Sequence, residues 1–132
     1  MPLHVTALYA GLLGAIGLVL WALVGPIRGR TNISLNDGGN KELIEATRRH
    51  MNWVESVPFI LVLFAIIELN GGSRTWLHAM GLALVASRIL HPFGIDAVTM
   101  RLWPRIVGAA GTFFVAIAAV VTVLWQYVSR AM

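Results

Sequence analysis

Three short clusters in this chain of 132 residues carry side chains able to do chemistry. Arg48, Asn52 and Glu55 recur at i, i+4 and i+7, which puts them on one stripe of a helix. Arg88 and His91 stand at i and i+3, again on one face, and Arg101 and Arg105 at i and i+4 beside Pro104. Guanidinium groups hold carboxylates through paired hydrogen bonds, a carboxylate holds an ammonium, and an asparagine satisfies a peptide amide. Together these groups suit a small ligand that is mostly anionic.

Depth brings the first two clusters together. The turn at Asn70-Gly71-Gly72-Ser73 joins two helical stretches, so positions can be measured from it. Glu55 lies 13 residues before Glu68, and Arg88 lies 14 after Arg74. At about 1.5 Å per residue those are depths of roughly 20 and 21 Å. Asn52 and His91 sit one turn further from the turn. Arg48, Arg88 and Arg105 then face one carboxylate, Glu55, and unpaired buried positive charge calls for an anionic guest.

Plainer readings exist for each group. Glu55 and Arg88 alone would make an ion pair that neutralises two charges inside a bundle. Arg28, Arg49 and Arg101, at span ends, would reach to lipid headgroups. His4 and His78 read as interfacial side chains without partners, and Glu68 as solvated at its turn. His50 and His91 are able to approach each other. No face carries a His-x-x-x-His or Glu-x-x-His pair, and dense arginine repels a cation, so no metal is expected. Zero cysteines exclude a disulfide framework and a cysteine nucleophile. No phosphate-binding glycine loop, Ser-His-Asp set or nucleotide fingerprint occurs, and no nucleic-acid partner is expected.

The elements that must position these residues are membrane helices. Hydrophobic residues make up 58% of the chain and charged ones 12%, about half the usual share, which is too few to clothe a small soluble domain. No Asp, Glu, Lys or Arg falls between Met1 and Ile27 or between Ile106 and Ser129, and each run can cross a bilayer core. Arg28 and Arg30 follow the first run instead of preceding it, against a signal peptide. The uncharged runs Ser56–Ile67 and Thr75–Ser87 reach spanning length only through their charged flanks, which places ionisable groups inside the membrane. The sequence predicts one domain over residues 1–132, an all-α integral membrane protein, with four transmembrane helices running up-down-up-down over about 3–27, 42–69, 74–94 and 104–130.

Punctuation and flanks agree. Arg28–Asn40 is a polar connection broken at Asp37-Gly38-Gly39, the second and third helices form a tight hairpin, and Pro104 suits a first helical turn. Pro58 is placed to bend the second helix, and Gly11, Gly14 and Gly17 read as close-packing positions. Trp21, Trp76, Trp103 and Trp125 lie near span ends. Arg28, Arg30, Lys41, Arg101 and Arg105 lie at the first and third connections, against Arg74 and Arg130 opposite. The positive-inside rule therefore puts both termini outside and the arginine-rich mouth in the cytoplasm.

The stretch Glu45–Pro58, EATRRHMNWVESVP, resembles the second-helix signature of the membrane-associated proteins in eicosanoid and glutathione metabolism (MAPEG), whose core is Arg-x-x-x-Asn-x-x-Glu. Arg88-Ile-Leu-His91 is similar to that family's third-helix Arg-x-x-His/Tyr element, and Arg101-Leu-Trp-Pro-Arg105 to its basic approach to the fourth helix. The resemblance spans the chain and is nearest to the short bacterial members. It implies a homotrimer in the bacterial inner membrane, with glutathione as co-substrate in clefts between neighbouring subunits.

On that resemblance Arg48, Asn52, Glu55, Arg88 and His91 bind glutathione, Arg105 activates its thiol, and Arg28 or Arg30 adds a further contact. The implied activity is a glutathione transferase, with possible peroxidase action, on hydrophobic electrophiles met in the membrane lipid. Ile95 replaces a tyrosine found in many members, and Ile106 a serine of the prostaglandin-forming ones. The alternatives are a non-catalytic scaffold of the same family that binds lipid or protein, and a small multidrug transporter using Glu55 for proton exchange.

Overall fold

The computed structural model describes residues 2–96 and 102–131, and among them every regular element is helical. In chain order these are α1 (His4–Ala22), α2 (Val24–Thr31), α3 (Lys41–Leu69), α4 (Arg74–Leu90), a 3₁₀ turn (His91–Gly94) and α5 (Leu102–Ala131). Three segments are long and apolar enough to cross a membrane: His4–Thr31, Lys41–Leu69 and Trp103–Ala131. The remaining helix, α4, has 17 residues. At about 1.5 Å per residue it spans roughly 26 Å, and the 3₁₀ turn brings the unit to about the 30 Å of a bilayer core. The protein is thus an all-helical membrane bundle.

Local chemistry fixes the boundaries. The first helix, expected as one piece over 3–27, is interrupted at Leu23 and runs on to Thr31. Pro26 has no N–H to donate to the carbonyl of Ala22, so α1 stops there and the helix resumes at Val24 after the single residue Leu23. The polar connection therefore begins at Asn32, in the left-handed region with φ 54°, instead of at Arg28. Asn40 caps α3 by accepting from the Leu43 N–H at 3.0 Å, and Ser73 caps α4 through the Trp76 N–H. Gly71, at φ 67°, turns the chain between them, with its N–H on the Glu68 carbonyl at 2.9 Å. Helix three, expected as α through 94, tightens to 3₁₀ geometry after Leu90, where Pro92 cannot donate to the Arg88 carbonyl.

Each helix contributes one apolar stripe to the core. Val5, Tyr9 and Leu13 of α1 meet Val57, Ile60 and Phe64 of α3, Leu77, Met80 and Leu84 of α4, and Val115 and Ala119 of α5. α1 and α5 both pack against α3 and α4, whereas α3 and α4, although joined by a tight turn, touch sparingly across the bundle. The outward faces are apolar as well: Trp21, Trp76, Trp103 and Trp125 are all exposed, as a lipid-facing surface requires.

The turn end of the bundle is tied by polar groups. Glu68, expected to be solvated, is 6% exposed. Its two carboxylate oxygens accept the backbone N–H groups of Val5 and Thr6 at 2.9 and 2.8 Å, so it caps α1 from the end of α3. Gln126 donates to the Ile67 carbonyl at 3.3 Å, and Arg130 donates to Asn70. His78, expected to lack a partner, lies 3.0 Å from the Tyr9 hydroxyl through Nδ1. That hydroxyl also donates to the His78 carbonyl, so the buried tyrosine is satisfied. Gly17 is a close-packing position, since a Cβ there would meet the Trp53 ring at 2.8 Å. Gly11 and Gly14 are not: nothing of the described chain lies within 4 Å of where their Cβ would be.

Candidate functional site

At the end opposite that turn, a cavity of about 390 Å³ opens between α3, the 3₁₀ turn and the start of α5. Arg48, Asn52 and Glu55 line it from α3, His91 from the 3₁₀ turn, and Arg105 from α5. Helical periodicity put the first three on one stripe, and depth matched them to His91. Arg105 joins through backbone contact. Gly94 packs directly on the backbone of Arg105, and a Cβ at Gly108 would meet the His91 Cβ at 2.7 Å. These two glycines press the 3₁₀ turn onto α5 and set His91 beside Arg105.

Arg88 lies beneath this cavity and is 4% exposed. Its Nε donates to Thr112 Oγ1 at 2.9 Å, its Nη2 to the same oxygen, and its Nη1 to Asn52 Oδ1 at 2.8 Å. Thr112 Oγ1 in turn donates to the Gly108 carbonyl at 2.9 Å, so its hydrogen-bonding capacity is full. The ion pair between Glu55 and Arg88, open from sequence, is not formed, and among the described residues the hydrogen-bond partners of Arg88 are neutral. One consequence concerns Asn52: with Oδ1 spent on Arg88, its amide N–H groups are what it can offer a ligand.

A smaller apolar groove of about 290 Å³ follows α3 and α5 down from this level. Phe59, Ile60 and Phe113 line it, with Arg88 and Thr112. Asn52 and Glu55 belong to the walls of both hollows, so a polar chamber and an apolar one meet at these two side chains.

Two sequence-based readings need correction. The surplus of positive charge does not survive, because Glu45 and Asp96 also line the cavity and bring its carboxylates to three with Glu55. The site is amphoteric, which suits a zwitterion better than a simple anion. Arg48 and Arg105 are moreover exposed, not buried. Glu45 was legible, since it falls three residues before Arg48 on the same stripe. Thr112, seven residues after Arg105, follows the same logic on α5. Asp96 sits in a connection and carried no periodic signal.

Arg28 lies apart from the cavity. Its Nη1 donates to the carbonyls of Ile33, Ser34 and Asn36 at 3.0–3.3 Å, which closes the loop after α2. Arg30 pairs instead with Glu42 at 2.6 Å, an exposed contact of small energetic weight. Arg49, expected at headgroups, pairs with Glu45 at 3.1 Å and donates to the Ile95 carbonyl at 2.6 Å. His50 lines a hollow on the α1 side with Gly14, Gly17 and Trp53, and so does not share a cavity with His91. Arg101 falls outside the described residues.

Comparison with known proteins agrees with this architecture. A family model described as the MAPEG family matches residues 6–125. Two curated relatives, both named inner membrane protein YecN, from Escherichia coli K12 and Escherichia coli O6:H1, are 34% identical over 122 residues, covering 92% of this chain and 91% of theirs. No solved structure matches. Matched over nearly its whole length, and carrying the arginine, asparagine and glutamate stripe on its second spanning segment, the chain is a membrane protein that belongs to the MAPEG family.

Proposed function

We propose that this protein is a membrane-bound glutathione transferase, with peroxidase capability, that activates the glutathione thiol for attack on hydrophobic electrophiles. The observation that carries the reading is the meeting of two chambers at Asn52 and Glu55. The polar chamber, at about 390 Å³, lies within the size range of small-molecule sites. Glutathione brings two carboxylates, an ammonium and a thiol. Arg48 takes a carboxylate, Glu55 the ammonium, and the Asn52 amide a ligand carbonyl. His91 packs at the cavity wall, and Arg88 acts mainly as a positioning residue that holds Asn52 in its donating orientation.

Arg105 is the catalytic residue of this reading. A thiolate, not a thiol, is the nucleophile. Lowering the thiol pKa by about two takes roughly 2.7 kcal/mol of preferential stabilisation of the anion. Arg105 is exposed in the single chain, and its guanidinium supplies that once a neighbouring subunit covers it and partly desolvates it. The thiolate sulfur then forms a bond to the electrophilic carbon, the leaving group departs with the bonding pair, and the thiol proton goes to solvent. With a hydroperoxide the sulfur attacks the terminal oxygen, the O–O bond breaks to give the alcohol, and a second glutathione converts the sulfenic acid to disulfide and water. The apolar groove between Phe59 and Phe113 receives the electrophile from the bilayer.

In the assembled protein the reading includes a homotrimer in the inner membrane, termini outside and cavity toward the cytoplasm. Because the resemblance places glutathione between subunits, Arg28 is assigned to a neighbour's cleft. Calorimetry on the detergent-solubilised protein, paired with thiolate absorbance near neutral pH, tests the reading. Binding with a thiolate signal that vanishes in Arg105→Ala is expected. Absence of glutathione binding in the folded wild type overturns it in favour of a non-catalytic scaffold, and proton-coupled drug uptake in vesicles would favour a transporter.

A further inference from the structure

A separate hollow of about 380 Å³ lies on the outer flank of the bundle, where α1 and α4 meet the 3₁₀ turn. Val19 of α1, Leu23 just after it, Ile89 of α4 and Phe93 of the 3₁₀ turn line it and are all exposed, so it opens on the apolar surface of the bundle. Among the described residues its only ionisable wall groups are Arg49 and Arg88. Neither is fully balanced. Arg88 has neutral partners, and Arg49 spends Nη2 on Glu45 and on the Ile95 carbonyl while its Nε is buried without a partner. Two guanidiniums against one carboxylate leave one positive charge at the inner wall of an apolar slot.

The slot also has a direction. Arg49 lies eight residues into α3, at the loop-bearing end, while the α1 wall runs from Leu23 back toward the bilayer interior. A cation near the headgroup level above an apolar channel matches an amphiphile whose charge is negative and whose tail is hydrocarbon. Basic pockets between transmembrane helices bind lipid phosphates in this manner, and an arginine fork suits a phosphate.

We propose that the α1–α4 groove is a binding site for one anionic phospholipid of the surrounding bilayer. An acyl chain lies along Val19, Leu23 and Ile89, and the phosphate is held at Arg49. The proposal does not depend on glutathione chemistry, and its test has no glutathione readout.

Native mass spectrometry of the full-length protein, released from detergent containing phosphatidylglycerol or phosphatidylcholine with identical acyl chains, decides it. Retention of phosphatidylglycerol about fivefold above phosphatidylcholine is expected, the preference of one near-surface arginine. Arg49→Gln should bring the two lipids level, and Ile89→Trp, which fills the slot from its exposed side, should reduce retention of both. Arg30→Gln, at the same end but paired with Glu42, should leave the preference unchanged. Equal retention of the two lipids by the wild type, or a preference that persists in Arg49→Gln and Ile89→Trp, overturns the proposal as diffuse headgroup attraction. Should Arg49→Gln fail to fold once its ties to Glu45 and Ile95 are lost, Ile89→Trp with native helix content by circular dichroism decides alone.

Discussion

Arg88 shows how a single side chain can be both a structural knot and part of a site. Its donors reach Asn52 on α3 and Thr112 on α5, so three helices converge on one guanidinium. Thr112→Val keeps the side-chain shape but removes the oxygen that accepts twice from Arg88. Leaving those buried donors unmet costs about 1–3 kcal/mol. We expect a lower melting temperature in detergent and weaker glutathione binding, both restored by Thr112→Ser; weaker binding with unchanged melting would mean that Thr112 itself touches the ligand. Glu68 is the counterpart at the far end. Glu68→Gln keeps one acceptor oxygen and loses the other together with the charge at the α1 terminus, a loss of about 1–2 kcal/mol. Unfolding in detergent should report that loss while glutathione affinity stays within error. These long-range ties were invisible in the sequence: Glu68 reads as a turn carboxylate until the N–H groups it caps, 62 and 63 residues away, are placed beside it.

At the scale of elements, the stripe of Arg48, Asn52 and Glu55 was legible because the helical repeat alone puts them on one face. The same repeat gave the start and end of α3 to within a residue. What the repeat cannot convey is how closely two elements approach. Gly94 and Gly108 bring the 3₁₀ turn into backbone contact with α5, and nothing local distinguishes them from the open glycines Gly11 and Gly14. The break at Leu23 has a related origin: Pro58 sits inside a helix that tolerates it, whereas Pro26 leaves the Ala22 carbonyl without its donor and α1 ends there. Gly94→Ala places a methyl against the Arg105 backbone, and overpacking of this kind costs about 1–3 kcal/mol. Because the strain falls between His91 and Arg105, thiolate formation should drop by tenfold or more with helix content unchanged. Stopped absorbance titration of the thiolate against circular dichroism separates the two effects. Gly39→Ala, in the open loop at φ 75°, should strain only its own turn and leave the thiolate signal intact.

For the whole molecule, exposure is the organising observation. Arg48 and Arg105 are exposed in the single chain, and Arg28 does not line the cavity that they share. In the proposed trimer a cleft completed by a neighbour would account for both, and it makes a sharp prediction about mixtures. Arg28→Ala chains and Arg105→Ala chains should each be deficient alone. Co-assembled in equal amounts they should regain about a quarter of the wild-type sites, because a neighbour can then supply the missing arginine in a cyclic oligomer. Activity and thiolate absorbance of the co-purified mixture check this; no recovery, with oligomer mass confirmed by native mass spectrometry, would place Arg28 outside the site. The capping carboxylate on α3 has a mechanical side as well. With both oxygens clasping the start of α1, it makes one tip of that helix pair stationary. A pair of tongs pinned there opens only at its free tips, and over a helix of 29 residues, about 43 Å, each degree of swing moves the tips by roughly 0.8 Å. Such a pivot parts α1 from α3 at the hollow lined by His50 and Trp53, and leaves the arginine cavity between α3 and α5 unchanged.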